Sequence, residues 1–316
     1  MDLSIVISLY NEVESLPELV SWIHRSLEGQ GLDYEIILVD DGSTDGSWDF
    51  ISGACAGDSR IHGIRFRRNY GKSAALYCGF DAACGDIVVT MDADLQDSPE
   101  EIPEMIRMIR EEGYDLVSGW KQKRHDNVLM KNIPSKIYNS TARRVTGLKL
   151  HDMNCGLKAY RRDVVKSIEV YGEMHRYIPV LAKQAGFGRI GEKVVVHRAR
   201  KYGKTKFGIE RFINGFLDLM SILFMTKFGK KPMHLFGTLG VFVFLLGFFA
   251  AATVGAIKLI SLSRGIAAPL VTSSPYFYLA LTCMILGTQL FLTGFLGELV
   301  SRSSTDRNDY QIKETL

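Results

Sequence analysis

Two runs near the carboxyl end, Leu235 to Ile260 and Tyr276 to Val300, are each long and apolar enough to cross a bilayer as a helix. About 20 predominantly apolar residues span a hydrocarbon core of roughly 30 Å. From His234 to Ile260 the titratable groups are His234 and Lys258 alone, although charged residues make up 23% of the 316-residue chain. The connection, Ser261 to Pro275, carries Arg264, Pro269 and Pro275 and suits a tight exit and re-entry. A helical hairpin is therefore expected, with spans at about 234–260 and 276–300.

Lys227, Lys230 and Lys231 precede the first run and Arg302 and Arg307 follow the second, against Arg264 in the connection and Lys258 near it. Basic residues in short flanks stay on the cytoplasmic side. The expectation is a multi-pass protein of the cytoplasmic (inner) membrane, with both termini and the N-terminal domain in the cytoplasm. Met1 to Tyr10 opens directly on a strand pattern, without the basic-then-apolar order of an export leader. Gly287, Gly294 and Gly297 in the second run offer a close-packing surface, including for a homo-oligomer. The five cysteines lack both the spacing of a zinc site and the even count of a disulfide framework. A net charge of +3 gives no bulk attraction for nucleic acid.

Upstream of the hairpin the pattern changes to alternating strands and helices. Ser4 to Leu9 and Tyr34 to Asp40 read as strands around a helical pattern at Leu16, Leu19, Val20, Ile23 and Leu27. Strands are expected again at Ile61 to Phe66, Ile87 to Met91 and Leu116 to Trp120, with helices near Ala74 to Cys84 and Pro99 to Glu111. Near-continuous apolar strands mark a mostly parallel sheet covered on both faces. Beyond Trp120 a basic helix is expected from about Val128 to Thr146, strands at Cys155 to Tyr160 and Lys193 to Val196, and a helix around Ile178 to Ala185. The chain thus divides into an α/β domain at 1–206, an amphipathic segment at 207–231, the hairpin at 232–301 and a tail at 302–316. The amphipathic segment suits either helices in the membrane interface or a soluble packing helix.

In open α/β sheets ligands sit beyond the carboxyl ends of the strands. Those ends deliver Tyr10, Asn11 and Glu12, then Asp40 and Asp41, then Asn69 to Lys72, then Asp92 and Asp94. Gly71-Lys72-Ser73 and Gly203-Lys204-Thr205 imitate a phosphate loop, but Phe66 and Arg198 stand where its first glycine is required. No GxGxxG follows the first strand. Asp92-Ala-Asp-Leu-Gln96 ends a buried strand, where two neighbouring carboxylates are costly without a cation between or beside them. Mg²⁺ or Mn²⁺ suits such hard oxygens, while an Asp-rich helix cap is the plainer reading. The basic run of Lys193, Arg198, Arg200, Lys201, Lys204 and Lys206 suits anionic headgroups, a diphosphate or plain solvation.

Six motifs in order resemble the family 2 glycosyltransferases of GT-A fold, and among them the polyprenyl-phosphate type, which includes bactoprenol glucosyltransferases and dolichol-phosphate mannose synthases. They are Ser8-Leu-Tyr-Asn-Glu12, Asp40-Asp-Gly-Ser-Thr-Asp45, Asn69-Tyr-Gly-Lys72, Asp92-Ala-Asp-Leu-Gln96, Asp152-Met-Asn-Cys-Gly156 and Arg200-Lys-Tyr-Gly-Lys-Thr-Lys206. The resemblance implies a GT-A catalytic domain, Rossmann-like with a mostly parallel sheet, that uses a nucleotide-sugar donor and a polyprenyl-phosphate acceptor. It places Ser8, Tyr10, Glu12, Asp40, Asp41, Gly71, Lys72 and Asp92 around the nucleotide, with Asp92 on the sugar side. It gives the metal to Asp94 and Gln96, the diphosphate to Arg200 and Lys206, and the acceptor phosphate to Arg124, Lys131 and Ser135. Asp152 is the general-base candidate, and Asp92 and Asp94 complete the catalytic set. Ser8 stands where many relatives carry Pro, and Lys131 where Arg is common.

The expected reaction is inverting transfer from a nucleotide-sugar, UDP-glucose first, to undecaprenyl phosphate, giving a lipid-linked sugar for cell-envelope modification. UDP-linked amino sugars, formyl-aminoarabinose and GDP-mannose are further donors. A processive polysaccharide synthase would carry a QxxRW motif, and no tryptophan follows Trp120. A non-catalytic membrane scaffold or lipid-carrier binding protein is the other alternative.

Overall fold

The computed structural model describes residues 1–122, 147–148, 150–172, 174–198, 201–202, 232–266 and 270–303. It divides into two compact units, Met1–Leu219 and Met220–Leu316.

In the first unit the strands are β1 (Leu3–Leu9), β2 (Tyr34–Asp40), β3 (Ile61–Arg65), β4 (Ile87–Asp92), β5 (Leu116–Trp120), β6 (Lys158–Arg161) and β7 (Ile190–Val194). They form one sheet in the order β3-β2-β1-β4-β6-β5-β7. All pairings are parallel except those of β6, which runs antiparallel between β4 and β5. This is the mostly parallel α/β sheet of a GT-A-like domain.

The helices are α1 (Leu16–Leu27), α2 (Ser47–Gly57), α3 (Lys72–Ala82), α4 (Ile102–Arg110), α5 (Arg162–Lys166) and α6 (Ile178–Gln184). Successive side chains of a strand point to opposite faces, and β1 shows the result. Leu3, Ile5, Ile7 and Leu9 pack with Leu16, Leu19 and Ile23 of α1 and with Ile102, Met105 and Ile106 of α4. Val6 joins Ala75, Leu76 and Phe80 of α3 on the other face. Two covered faces explain why β1, β2 and β4 read as apolar runs rather than alternating ones.

Helix α2 was not expected. Within it only Ser47 and Ile51 are buried, so no apolar stripe announces it. The helix before β5 starts as a 3-10 turn, Pro99–Glu101, before α4. The expected helix at 128–146, the amphipathic segment at 207–231 and the tail beyond Ser303 lie outside the described residues, while Arg302 and Ser303 of the expected tail continue the last helix.

In the second unit α7 (Pro232–Ser263) and α8 (Pro275–Ser303) form the expected hairpin. At 1.5 Å per residue, 32 residues give α7 a length of about 48 Å, more than a hydrocarbon core requires. Little of either apolar helix is buried, and Phe242, Leu246, Phe249, Leu279 and Leu296 are exposed. A soluble core helix would hide such side chains.

The two helices meet through glycines. A Cβ on Gly240 would lie 2.6 Å from the Phe291 nitrogen, one on Gly287 2.5 Å from the Phe244 nitrogen, and one on Gly247 2.5 Å from the Ala280 oxygen. Gly294 and Gly297 likewise face Gly237 and Pro232. The glycines of the second span thus close the hairpin within one chain.

Candidate active site

Register brings the site together. Ser8 stands beside Asp92 across β1 and β4, Leu9 beside Asp40 across β1 and β2, and Asp40 beside Arg65 across β2 and β3. The polar ends of these strands therefore share one edge.

The first two loops are tied by short polar side chains that hydrogen-bond nearby backbone, the usual device of turns. The Asn11 backbone N–H donates to Ser43 Oγ (2.9 Å), that of Glu12 to Ser47 Oγ (3.1 Å) and that of Val13 to Asp45 Oδ2 (3.1 Å). In return the Thr44 N–H donates to Asn11 Oδ1 (2.8 Å), and Asn11 holds a left-handed φ of 55°. Tyr10, at this rim, is exposed.

Asp40 and Asp41 are buried and do different work. Asp40 Oδ1 accepts the Ser43 N–H (2.8 Å), whereas its buried Oδ2 has no hydrogen-bond partner. Asp41 accepts the N–H groups of Tyr70 (2.7 Å) and Gly71 (2.9 Å), which ties the β2 loop to the start of α3. Burial pushes its carboxyl above the ordinary range, against those two hydrogen bonds. Gly42 is required between the loops: its φ is +78°, and a Cβ there would meet the Arg68 carbonyl carbon at 2.6 Å.

Lys72 opens α3 and forms an ion pair with Asp92. Burial would raise the Asp92 carboxyl, but Lys72 and then Lys121 hold it well below the usual carboxylate range. The cation beside this carboxylate is thus a lysine of the chain itself. The Asp92 side chain occupies the space over Gly156, where a Cβ would lie 2.6 Å from Oδ2.

After Asp92 the chain turns through Leu95, at φ 61°. Asp94 Oδ1 accepts the Gln96 N–H (3.2 Å) and the Gln96 carbonyl accepts the Arg198 N–H (2.9 Å). Asp97, fully buried, pairs with Lys121 (2.7 Å), a residue at the end of β5. The loop is therefore fixed from two sides. Among the described residues no three His, Cys, Asp or Glu side chains cluster as a metal site. The Asp94 carboxylate and the Gln96 amide oxygen are a hard-oxygen pair, which fits Mg²⁺ or Mn²⁺ drawing its other ligands from water and substrate phosphates.

Asp152 is buried. Its N–H and that of His151 both donate to Glu192 Oε1 (2.9 and 2.8 Å), and its Oδ1 accepts the Asn154 N–H (3.2 Å). His151 also stacks on Trp120, with ring centroids 4.1 Å apart. β7 thus positions this loop through Glu192.

Beside Asp92 lies a cavity of about 90 Å³ that also receives Lys72, Asn154, Lys158 and His175. His175 Nδ1 is 3.0 Å from Ser73 Oγ on α3. Burial, reinforced by Lys72, pushes the His175 imidazole down to about 2. Lys158, His175, Lys121 and Glu192 were not singled out from the sequence, and Asn154 was read only as part of the Asp152-Met-Asn-Cys-Gly156 motif. The signal for Lys158 was present as a charge inside the apolar strand pattern of Leu157 to Tyr160. Arg124, Lys131, Ser135, Arg200 and Lys206 lie outside the described residues.

Residues 4–169 match the family model described as Glycosyl transferase family 2. The chain is 34% identical over 305 residues to a dodecaprenyl-phosphate galacturonate synthase of Rhizobium johnstonii, covering 96% of this chain and 88% of that one. It is 35% identical over 304 residues to an undecaprenyl-phosphate 4-deoxy-4-formamido-L-arabinose transferase of Aeromonas hydrophila, covering 96% and 89%. Among solved structures, the UDP complex of Mycobacterium tuberculosis glucosyl-3-phosphoglycerate synthase superposes with a TM-score of 0.55 at 20% identity, over 71% of this chain and 79% of that one.

Proposed function

Since the chain belongs to glycosyl transferase family 2, we propose that it is a membrane-anchored enzyme moving a sugar from a nucleotide-sugar to the phosphate of a polyprenyl lipid. One observation carries the acceptor: similarity to transferases named for polyprenyl phosphates runs over 96% of the chain, and so includes the hairpin as well as the catalytic domain. An enzyme with a bilayer-bound acceptor gains from being held at that surface, where encounter is confined.

The assignments of the described residues are supported by their place at one sheet edge, and those of the others by the family resemblance. Asp40 Oδ2, which accepts no hydrogen bond and lies 3.7 Å from Arg65 Nε, suits an N–H donor of a base, and UDP is the nucleotide we propose. Tyr10 and Glu12 line the same rim, and Asp41 with Gly71 holds the loops that shape it. Asp92 with Lys72 faces the sugar. Asp94 and Gln96 would hold Mg²⁺ or Mn²⁺, which supplies charge neutralisation to the departing diphosphate. Arg200 and Lys206 would add to that neutralisation, and Arg124, Lys131 and Ser135 would receive the acceptor phosphate.

A phosphate monoester has a second pKa of about 6 and is largely ionised near neutrality. Asp152 then has little proton to remove, and we assign it to orienting the attacking phosphate from its fixed loop. A single displacement gives a β-linked lipid phosphate from an α-linked donor. Catalytic domain and termini on the cytoplasmic side complete the reading.

The relatives' names carry different sugars, so family membership leaves the donor to be found. The test is a donor panel of UDP-glucose, UDP-galactose, UDP-galacturonate, the formamido-arabinose donor and GDP-mannose. Purified full-length protein is supplied with undecaprenyl phosphate, and UDP or GDP release is followed. Release that depends on the lipid phosphate is expected; donor hydrolysis unaffected by the lipid would refute the acceptor.

A further inference from the structure

The buried cation Lys158 has no assigned work in the reaction described so far. It sits on β6 opposite Thr90 of β4, is 3% exposed and lines the cavity beside Asp92. An ammonium has three N–H donors. Among the described residues Lys158 forms no ion pair and donates only to the Cys155 carbonyl, with Asp92 and Asp152 acting on it at longer range.

Burying an ammonium without a carboxylate partner is expensive unless a charge arrives from elsewhere. The rest of the cavity does not supply one. Lys72 and Asp92 neutralise each other, and the imidazole of His175 is held neutral. Among the described residues Lys158 is therefore the charged group of the cavity that has no ion-pair partner. Its own ammonium is pushed down by burial and then by Lys72, so an incoming anion would favour the charged form. About 90 Å³ leaves room for several water-sized groups.

We propose that Lys158 is the floor of an oxyanion subsite within the reaction pocket, which receives an anionic group of one substrate: the carboxylate of an acidic donor sugar or the phosphate of the lipid acceptor. Both present hard oxygens of the same charge to the ammonium. The subsite opens on Asp92, the residue placed at the sugar, and Asn154 and His175 flank it with neutral polar groups. Gly156 keeps the floor open, because a side chain there would displace the Asp92 carboxylate.

This inference rests on the transferase reading, and the experiment separates the two. Full-length wild type, Lys158→Met and Lys158→Arg are assayed with UDP-galacturonate against UDP-galactose, which differ only in the carboxylate, and with a titration of undecaprenyl phosphate. UDP affinity by calorimetry reports folding. If the sugar carboxylate is the ligand, wild type prefers the uronate by at least about tenfold in kcat/KM, Lys158→Met erases that preference and Lys158→Arg restores most of it. If the acceptor phosphate is the ligand, Lys158→Met raises the lipid KM about tenfold while the sugar ratio stays constant. Lys158→Met binding UDP normally with both quantities within twofold of wild type would overturn the subsite. Should Lys158→Met fail to fold, wild type decides: no uronate preference together with no thermal stabilisation by inorganic phosphate or galacturonate 1-phosphate overturns it. Should wild type transfer no sugar, the transferase reading fails, and those two anions still test Lys158 by thermal shift: stabilisation of wild type and Lys158→Arg but not of Lys158→Met supports the subsite, and no stabilisation of wild type, or equal stabilisation of all three, overturns it.

Discussion

His175 offers a stability prediction with a definite sign. Its ring lies beside Lys72, Lys158, Arg176 and Asp92, is bonded to Ser73, and has its pKa pushed down to about 2 by burial and then by Lys72. In the unfolded chain a histidine titrates near 6.5. Below that value the unfolded state binds a proton that the folded state refuses, so stability is complete above about pH 6.5 and falls as the pH drops toward 2. At about pH 5 the loss works out to about 2 kcal/mol, with a limiting slope of about 1.4 kcal/mol per pH unit.

For a domain of this size that corresponds to about 4–8 °C in Tm. The assay is a thermal melt of full-length protein in detergent from about pH 7.5 to 5, for wild type and His175→Gln. All other groups titrate in both proteins, so the difference between the curves isolates the imidazole. Wild type should lose the additional 4–8 °C while His175→Gln does not. Parallel curves would mean that His175 protonates freely in the folded state, and the neutral-imidazole account of the cavity would be wrong.

Asp94→Asn should lower kcat at least about a hundredfold, with binding of Mg²⁺ or Mn²⁺ by the UDP complex weakened in calorimetry, whereas Asp152→Asn should lose clearly less; equal, complete loss in two folded variants would contradict the orienting role of Asp152. Lys121→Met strands the buried Asp97 carboxylate and should cost about 3–5 kcal/mol in denaturant melts, while the double variant with Asp97→Asn recovers a large part of it. Gly287→Leu places atoms where the Phe244 backbone stands, and should lower the thermal aggregation midpoint of the protein in detergent. Gly255→Leu, with nothing within 4 Å of its Cβ, should leave that midpoint unchanged.

The legible part of this molecule is the part built from consecutive parallel strands. β1, β2 and β4 announce themselves as apolar runs, and each ends in the polar residues that the register then sets side by side, as Ser8 beside Asp92. Local sequence carries that information because strand and loop are contiguous. The hairpin was legible for a similar reason, since length and apolarity within one segment are sufficient. Its glycines were read as a surface for close packing, which the pairing of Gly240 with Gly287 directs inward.

Where Lys158 and His175 come to lie was not legible because it depends on a long-range event. β6 enters the sheet antiparallel between β4 and β5, pairing Thr90 with Lys158, and α6 then follows the turn that carries His175 over Ser73. No local periodicity encodes which existing strands a later strand will separate. The order β1-β4-β6-β5 nevertheless has a chemical consequence. The parallel half supplies acidic strand ends, which suit a nucleotide and a metal, and the antiparallel insertion supplies a buried ammonium. Asp92 stands where the two halves meet, held by Lys72 from one side and packed over Gly156 on the other. Under the proposed reaction, a donor bound along the acidic edge would present its sugar beside Asp92 and the Lys158 ammonium, where the anionic acceptor would approach it.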